Sequence, residues 1–267
     1  MTSPKISIIT LTYNGIDVLK NCVESILEKC ATVDFEWLIR ENGSKDGSLE
    51  YLQQMAAKDS RLRIFNMTNG SNFSQMNNEL YPECRGQYVV FLNNDVEAIT
   101  DFLSVQANIL DRDPKVGGVG AVLWYPNKTL QHCGIAFEHN CSAHNISNQY
   151  SQLRNLYNGL HLKDRVYQAA TGACFMMRKD EWKAIGLFDE GYVFCFDDVA
   201  LSLSITHKLK KKIVVPKDAQ LFHFESYSKA NPNTWAAWTR LKSQWGKIFK
   251  PDVFNYSIDS NVYVLPE

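Results

Sequence analysis

The chain has 267 residues, 45% of them apolar and 21% charged, with a formal net charge of −1. This composition excludes a disordered chain, a collagen-like repeat and a coiled coil, and the near-neutral charge offers nucleic acid no basic surface. No run reaches the about 18 apolar residues of a membrane-spanning helix; the longest clean one is Tyr88 to Leu92.

In chain order, Lys5 to Leu11 (KISIITL) is apolar and β-branched and predicts a buried strand. Ile16 to Lys29 carries apolar residues at 16, 18, 19, 23, 26 and 27, the spacing of a helix. Phe35 to Ile39 predicts a second strand, and Ser48 to Lys58 a helix capped by Ser44 or Asp46. Leu62 to Phe65 reads as a third strand, Phe73 to Cys84 as a helix, and Tyr88 to Leu92 (YVVFL) as a strand covered on both faces. Asp101 to Leu110 reads as helix and Val116 to Leu123 as one glycine-containing strand. Strands alternating with helices predict an α/β protein with a mostly parallel sheet, whose ligands bind at the carboxyl ends of the strands. Chemistry is therefore expected just after Leu11, Ile39 and Leu92.

The second half is less regular. Residues 138 to 165 are polar without period and read as a long loop. Ala169 to Arg178 predicts a strand, Lys179 to Ile185 a short helix ended by Gly186, and Asp198 to Leu209 a helix. Ile213 to Val215 and Leu221 to Phe224 predict short strands, and Asn233 to Phe249 a final helix. Along that helix Trp235, Trp238, Leu241 and Trp245 form an apolar stripe, which suits packing on the domain, on a partner module or on a membrane surface.

Three polar clusters fall at the expected strand ends: Thr12-Tyr13-Asn14-Gly15, then Glu41-Asn42-Gly43-Ser44, then Asn93-Asn94-Asp95. Each alone is ordinary turn and cap chemistry; their joint placement on one edge points to a site. Neither GxGxxG after the first strand nor GxxxxGK[ST] occurs, so a nucleotide is not held by a glycine loop.

The order ISIITLTYNG, ENGSKDGS, FLNND, TGACFMMRKDEWKAIGLFDEGYVFCFDDVAL and LFHFES, over roughly residues 5 to 228, resembles glycosyltransferase family 2. The resemblance implies a GT-A fold and inverting transfer of a sugar from a UDP- or dTDP-sugar to a glycan or lipid-linked saccharide, with Mn or Mg. Residues 1–228 would form the transferase domain and 229–267 a helical extension. By the same resemblance Asp95 stands at the family's metal-binding carboxylate, with Asn93 and Asn94 on ribose or phosphate and His223 as a second metal ligand. A single carboxylate at this position implies weak metal binding without donor. Thr12, Tyr13 and Asn14 would hold the base. Glu41 stands where the family has Asp, to accept from a pyrimidine N–H, with Asn42 supporting the pocket. Asn77 and Asn78 match a polar stripe facing the donor. Asp198 would be the general base that takes the acceptor hydroxyl proton, with Asp197 in the place of the family's Glu.

His132, Cys133, His139, Cys141 and His144 match no common zinc spacing. The basic run His207 to Lys212 suits the end of a helix dipole, or anionic headgroups. Seven cysteines without a CxxC pair and an N-terminus that reads as a strand predict a cytoplasmic protein, with the last helix as its contact to a membrane surface or partner domain. A nucleotidyltransferase and a non-catalytic glycan-binding or nucleotide-sugar-binding domain are the rival readings.

Overall fold

The β-branched first strand forms β1 (Ile6–Thr12), buried at six of its seven positions. It belongs to a computed structural model that describes residues 4–69, 72–137, 163–193, 195–224, 234–248 and 250–252. From β1 the chain alternates through α1 (Ile16–Lys29), β2 (Phe35–Glu41), α2 (Ser48–Lys58), β3 (Leu62–Asn66), α3 (Phe73–Leu80) and β4 (Tyr88–Leu92). Then follow β5 (Val96–Ala98), α4 (Phe102–Arg112), β6 (Val116–Val119), β7 (Val122–Trp124), β8 (Leu130–His132), β9 (Arg165–Tyr167), β10 (Cys174–Arg178) and α5 (Lys179–Ile185). The last described elements are α6 (Asp197–Lys208), β11 (Lys212–Val215), β12 (Gln220–His223) and α7 (Thr234–Trp245).

Two sheets result. The larger has eight strands in the order β3-β2-β1-β4-β10-β6-β11-β9, and the smaller has four in the order β5-β12-β7-β8. β3, β2, β1 and β4 run parallel, while β10 runs antiparallel between β4 and β6. Side chains alternate across the large sheet, so its two faces feed two cores. Ile6, Ile8, Trp37, Ile39, Val90 and Leu92 meet α1 and α4 on one face. Ile9, Leu38, Val89 and Phe91 meet Trp182, Phe188, Leu201 and Ile205 on the other. Trp182 and Phe188 pack edge-on against Phe91, with ring centroids at 4.8 and 4.6 Å.

Several elements differ from the sequence expectation. The segment Val116–Leu123 is two strands in different sheets: the Gly120 N–H donates to the Val214 carbonyl of the large sheet, and the Val122 N–H to Ala219 beside the small one. Its glycines are needed for close approach, since a Cβ on Gly118 would lie 2.3 Å from the Phe175 ring. The predicted helix over Phe73–Cys84 stops at Leu80 and continues as a single 3-10 turn, Tyr81–Glu83, because Pro82 interrupts the hydrogen-bond ladder. The ladder of the predicted Ala169–Arg178 strand begins only at Cys174, with Ala169 in an isolated bridge to Ile135. Asp46 serves two helices rather than one: its carboxylate accepts from the Ser48 N–H at the start of α2 and from the Ile16 N–H at the start of α1.

The aromatic stripe of the final helix turns inward. Ala237, Trp238, Leu241 and Trp245 are buried against Ile135, Phe137, Tyr192, Phe196, Val199 and Leu203, while Trp235 stays exposed. No described helix is long and apolar enough to cross a membrane. Most of the predicted loop 138–165, together with His139, Cys141 and His144, lies outside the described residues, as does much of 229–267.

Gly118→Ala forces a methyl into the Phe175 and Ile213 side chains, 2.3 and 2.8 Å from its position. It should destabilise the fold by about 1–3 kcal/mol, measured as a lowered Tm; an unchanged Tm would contradict the close packing of β6.

Candidate active site

The site forms where β4 ends and β10 begins. The strands pair with Leu92 opposite Cys174, so the residues after one and before the other must meet. They do: the Asn93 N–H donates to the Ala173 carbonyl at 3.0 Å. One residue earlier, the Gly172 N–H donates to Asp198 Oδ2 at 2.9 Å. A Cβ on Gly172 would sit 3.2 Å from Asp198 Cβ, so the small residue admits the close approach. Asp198 also accepts from the Val199 N–H within the first turn of α6.

The entry to α6 is conformationally unusual. Cys195 and Phe196 both adopt left-handed backbone, with φ of 59° and 63°. Two successive non-glycine residues hold such a conformation only where the surroundings impose it. Phe196 is buried in the cluster that contains Trp238 and Leu241, so packing of α7 fixes the point from which Asp197 and Asp198 project.

On the other side of Asn93 lies the small sheet. Asn93 Nδ2 is 3.2 Å from His223 Nε2, and Asp95 Oδ1 is 3.3 Å from the same nitrogen. Asp95 is 9% exposed and its Oδ1 makes no hydrogen bond. The Phe224 N–H donates to the Asp95 carbonyl, which ties the end of β12 to this turn. His223 Nδ1 meets Gln131 Oε1 at 2.7 Å. An orphaned, buried carboxylate oxygen facing an imidazole nitrogen fits a divalent cation, carboxylate oxygen being a hard ligand and imidazole suiting Mn in particular. Among the described residues no group of three His, Cys, Asp or Glu gathers, so Asp95 and His223 are the pair available for it.

The first two strand ends join the same edge. Asn94 Nδ2 donates to Thr12 Oγ1 at 3.0 Å, and the Asn42 N–H and Nδ2 both donate to the Thr12 carbonyl. Asn14 takes φ 56°, donates its N–H to Ser44 Oγ and accepts from the Lys45 N–H. Tyr13 is 59% exposed and leaves its ring at the rim. Glu41 is wholly buried, and its two oxygens accept from the Gly43 and Ser44 N–H groups at 3.0 and 2.7 Å. It shapes the loop from beneath. Beside it the buried Arg40, absent from the sequence reading, donates to Asn42 Oδ1 and pairs with Glu79 on α3.

Asn77 and Asn78 are not joined to this cluster by their hydrogen bonds. Asn77 Nδ2 donates back to the Phe73 carbonyl, and Asn78 exchanges bonds with the Phe188 backbone and donates to Glu190. Asn78 fastens α3 to the segment after Gly186, while Asn77 stays within its own helix.

The fold is that of the GT-A glycosyltransferases. GalNAc-T7 with UDP, GalNAc and Mn2+ superposes with a TM-score of 0.71 at 13% identity, over 91% of this chain and 48% of that one. Mannosyltransferase PcManGT from Pyrobaculum calidifontis, in complex with GDP-Man and Mn2+, gives 0.60 at 15% identity, over 94% and 67%. The Glycosyl transferase family 2 model matches residues 7–184, and the chain belongs to that family. Uncharacterized protein y4gI of Sinorhizobium fredii is 32% identical over 242 residues, 87% of this chain and 26% of that protein. O-antigen biosynthesis protein RfbC of Myxococcus xanthus is 28% identical over 241 residues, 85% of this chain and 18% of that protein. The chain thus spans about a quarter or less of these relatives. Asp198 and His223 lie beyond the matched segment.

Burial, and after it the neighbouring Asp198 carboxylate, push Asp197 up to about 8. Two carboxylates side by side at this helix start thus favour holding a proton well above the usual carboxylate range. The folded chain holds that proton more tightly than an unfolded chain, so the stability it confers is present below 3.8 and is lost as pH rises toward about 8. Asp197→Asn removes the titration. Its Tm relative to wild type should climb across that interval; a difference that stays flat with pH would contradict the raised proton affinity of Asp197.

Proposed function

We propose that this chain is an inverting glycosyltransferase that moves a hexosyl or rhamnosyl unit from a nucleotide-diphosphate sugar, a UDP- or dTDP-sugar, to a hydroxyl of a glycan or lipid-linked saccharide. The observation that carries this reading is one continuous series of contacts. It runs from Asp198 through Gly172 and Ala173 to Asn93, and from Asn93 to His223 and Asp95. The backbone of Gly172 and Ala173 and the side chain of Asn93 thereby link a proton acceptor to a pair of cation ligands.

Each residue then has a task. Asp198 takes the proton of the acceptor hydroxyl as its oxygen attacks the anomeric carbon from the face opposite the leaving diphosphate. The Gly172 and Val199 N–H groups orient the Asp198 carboxylate for this. Asp95 and His223 would hold Mn or Mg, which supplies charge neutralisation for the departing diphosphate. Two protein ligands leave the other positions to donor oxygens and water, in keeping with weak binding when no donor is present. Tyr13 offers a ring face to the base, and Thr12, Asn14 and Asn42, shaped by Glu41, line its edge. Asn93 and Asn94 sit between base and cation, where ribose and phosphate would lie. The Mn2+ and nucleotide ligands of the two solved relatives support this donor chemistry, and the O-antigen biosynthesis relative supports a saccharide acceptor.

Transfer assays with a panel of UDP-, dTDP- and GDP-sugars test the reading. Asp198→Asn should lower kcat by about 10²–10⁴-fold, the range for loss of a general base, with donor affinity kept. Near-wild-type turnover of that variant would remove Asp198 from the role. Asp95→Ala should lose metal-dependent donor binding and activity together, and full wild-type activity in chelator would overturn the cation assignment.

A further inference from the structure

Gln131 occupies the middle of β8 and is 1% exposed. It is separated in the small sheet from β12 by β7, yet its amide reaches His223 across that strand. Its Nε2 donates to the His223 carbonyl at 3.2 Å, and its Oε1 meets His223 Nδ1 at 2.7 Å. Together these contacts fix a proton. A backbone carbonyl is acceptor only, so the amide nitrogen of Gln131 must face it. The amide oxygen then faces Nδ1, and since that oxygen only accepts, Nδ1 must carry the hydrogen. In the neutral ring the lone pair is then on Nε2, the nitrogen that has Asn93 Nδ2 and Asp95 Oδ1 3.2 and 3.3 Å away.

From this we infer that Gln131 is the positioning residue of the cation site: it fixes the Nδ1–H tautomer and ring orientation of His223, so that Nε2 and Asp95 Oδ1 are presented together to a divalent cation. The inference rests on the cation reading above and assigns a residue outside every motif of the chain. Without the amide, His223 is free to place its hydrogen on Nε2, where it blocks ligation and instead hydrogen-bonds Asp95. Partners that orient a ligating imidazole in this way are worth about 10–100-fold in metal affinity.

Three measurements on the full chain test this. In the first, ¹⁵N imidazole NMR of wild type, with His223 assigned by its loss in His223→Asn, should show Nδ1 protonated and Nε2 bare. In the second, Mn2+ is titrated in the presence of UDP and free Mn2+ is read by EPR. Gln131→Leu should bind Mn2+ about 10–100-fold more weakly. Gln131→Glu, which keeps an acceptor oxygen toward Nδ1, should lie nearer wild type. In the third, the Mn2+ concentration for half-maximal activity of Gln131→Leu should rise while kcat at saturating Mn2+ recovers. A purely structural role would lower Tm and kcat without this split. A wild-type ring protonated on Nε2, or a folded Gln131→Leu with unchanged Mn2+ affinity, overturns the inference. If Gln131→Leu fails to fold, the wild-type tautomer and Gln131→Glu decide. A wild type that binds no Mn2+ with UDP overturns the cation reading itself, and the imidazole spectrum still reports the Gln131 contact separately.

Discussion

A β4 strand that runs parallel to β1 and antiparallel to β10 can end only where β10 begins. That pairing, with Leu92 opposite Cys174, brings two segments some eighty residues apart in sequence to the same edge. The Asn93 to Ala173 hydrogen bond extends the ladder by one step past the strands. Everything with chemical potential in the molecule hangs from this junction. On one side Gly172 holds Asp198; on the other Asn93 touches His223, and the turn carries on into Asp95.

The junction also explains why two sheets are needed. The large sheet alone supplies Thr12, Asn42 and Asn93 at the ends of its parallel strands, with Glu41 buried beneath their loop. The small sheet adds the imidazole, because β12 pairs with β5 immediately after the Asn93-Asn94-Asp95 turn. Its register sets His223 opposite Val96, adjacent to Asp95. On the far side of α6, burial of Phe196 beneath α7 holds the helix start in left-handed backbone. Trp238 and Trp245 thus help fix the start of α6, an internal task for residues whose sequence pattern alone also suited an external surface.

Much of this was legible. The helices over Ile16–Lys29 and Ser48–Lys58 appear with the boundaries their periodicity dictates, because each has one apolar face and a polar one. The YVVFL strand is buried throughout, as a strand covered on both faces must be. Val116–Leu123 was not legible as two strands, since glycines that permit close packing look the same as glycines within one bent strand. β5 and β8 have three residues each, too few to show a period. Asn77 and Asn78 sit where the family resemblance put a donor-facing stripe, but Asn77 bonds back to Phe73 within its own helix, and the partners of Asn78 on the 188–190 segment are invisible in sequence. Gln131 left no signal, for its importance lies in an amide reaching across β7, a relation that no local pattern encodes. The acids at 197 and 198 could be seen as a pair, but the desolvation that raises Asp197 could not.

The central claim is that the edge where β4 meets β10 and β12 holds a cation and a diphosphate beside Asp198. A crystal structure of the chain with UDP and Mn2+, with the metal located by anomalous scattering, tests it most directly. The account predicts Mn2+ on Asp95 Oδ1 and His223 Nε2, the diphosphate on its open side, and the base beside Tyr13. A structure with UDP bound and Mn2+ away from Asp95 and His223, or with UDP seated elsewhere on the molecule, would contradict it.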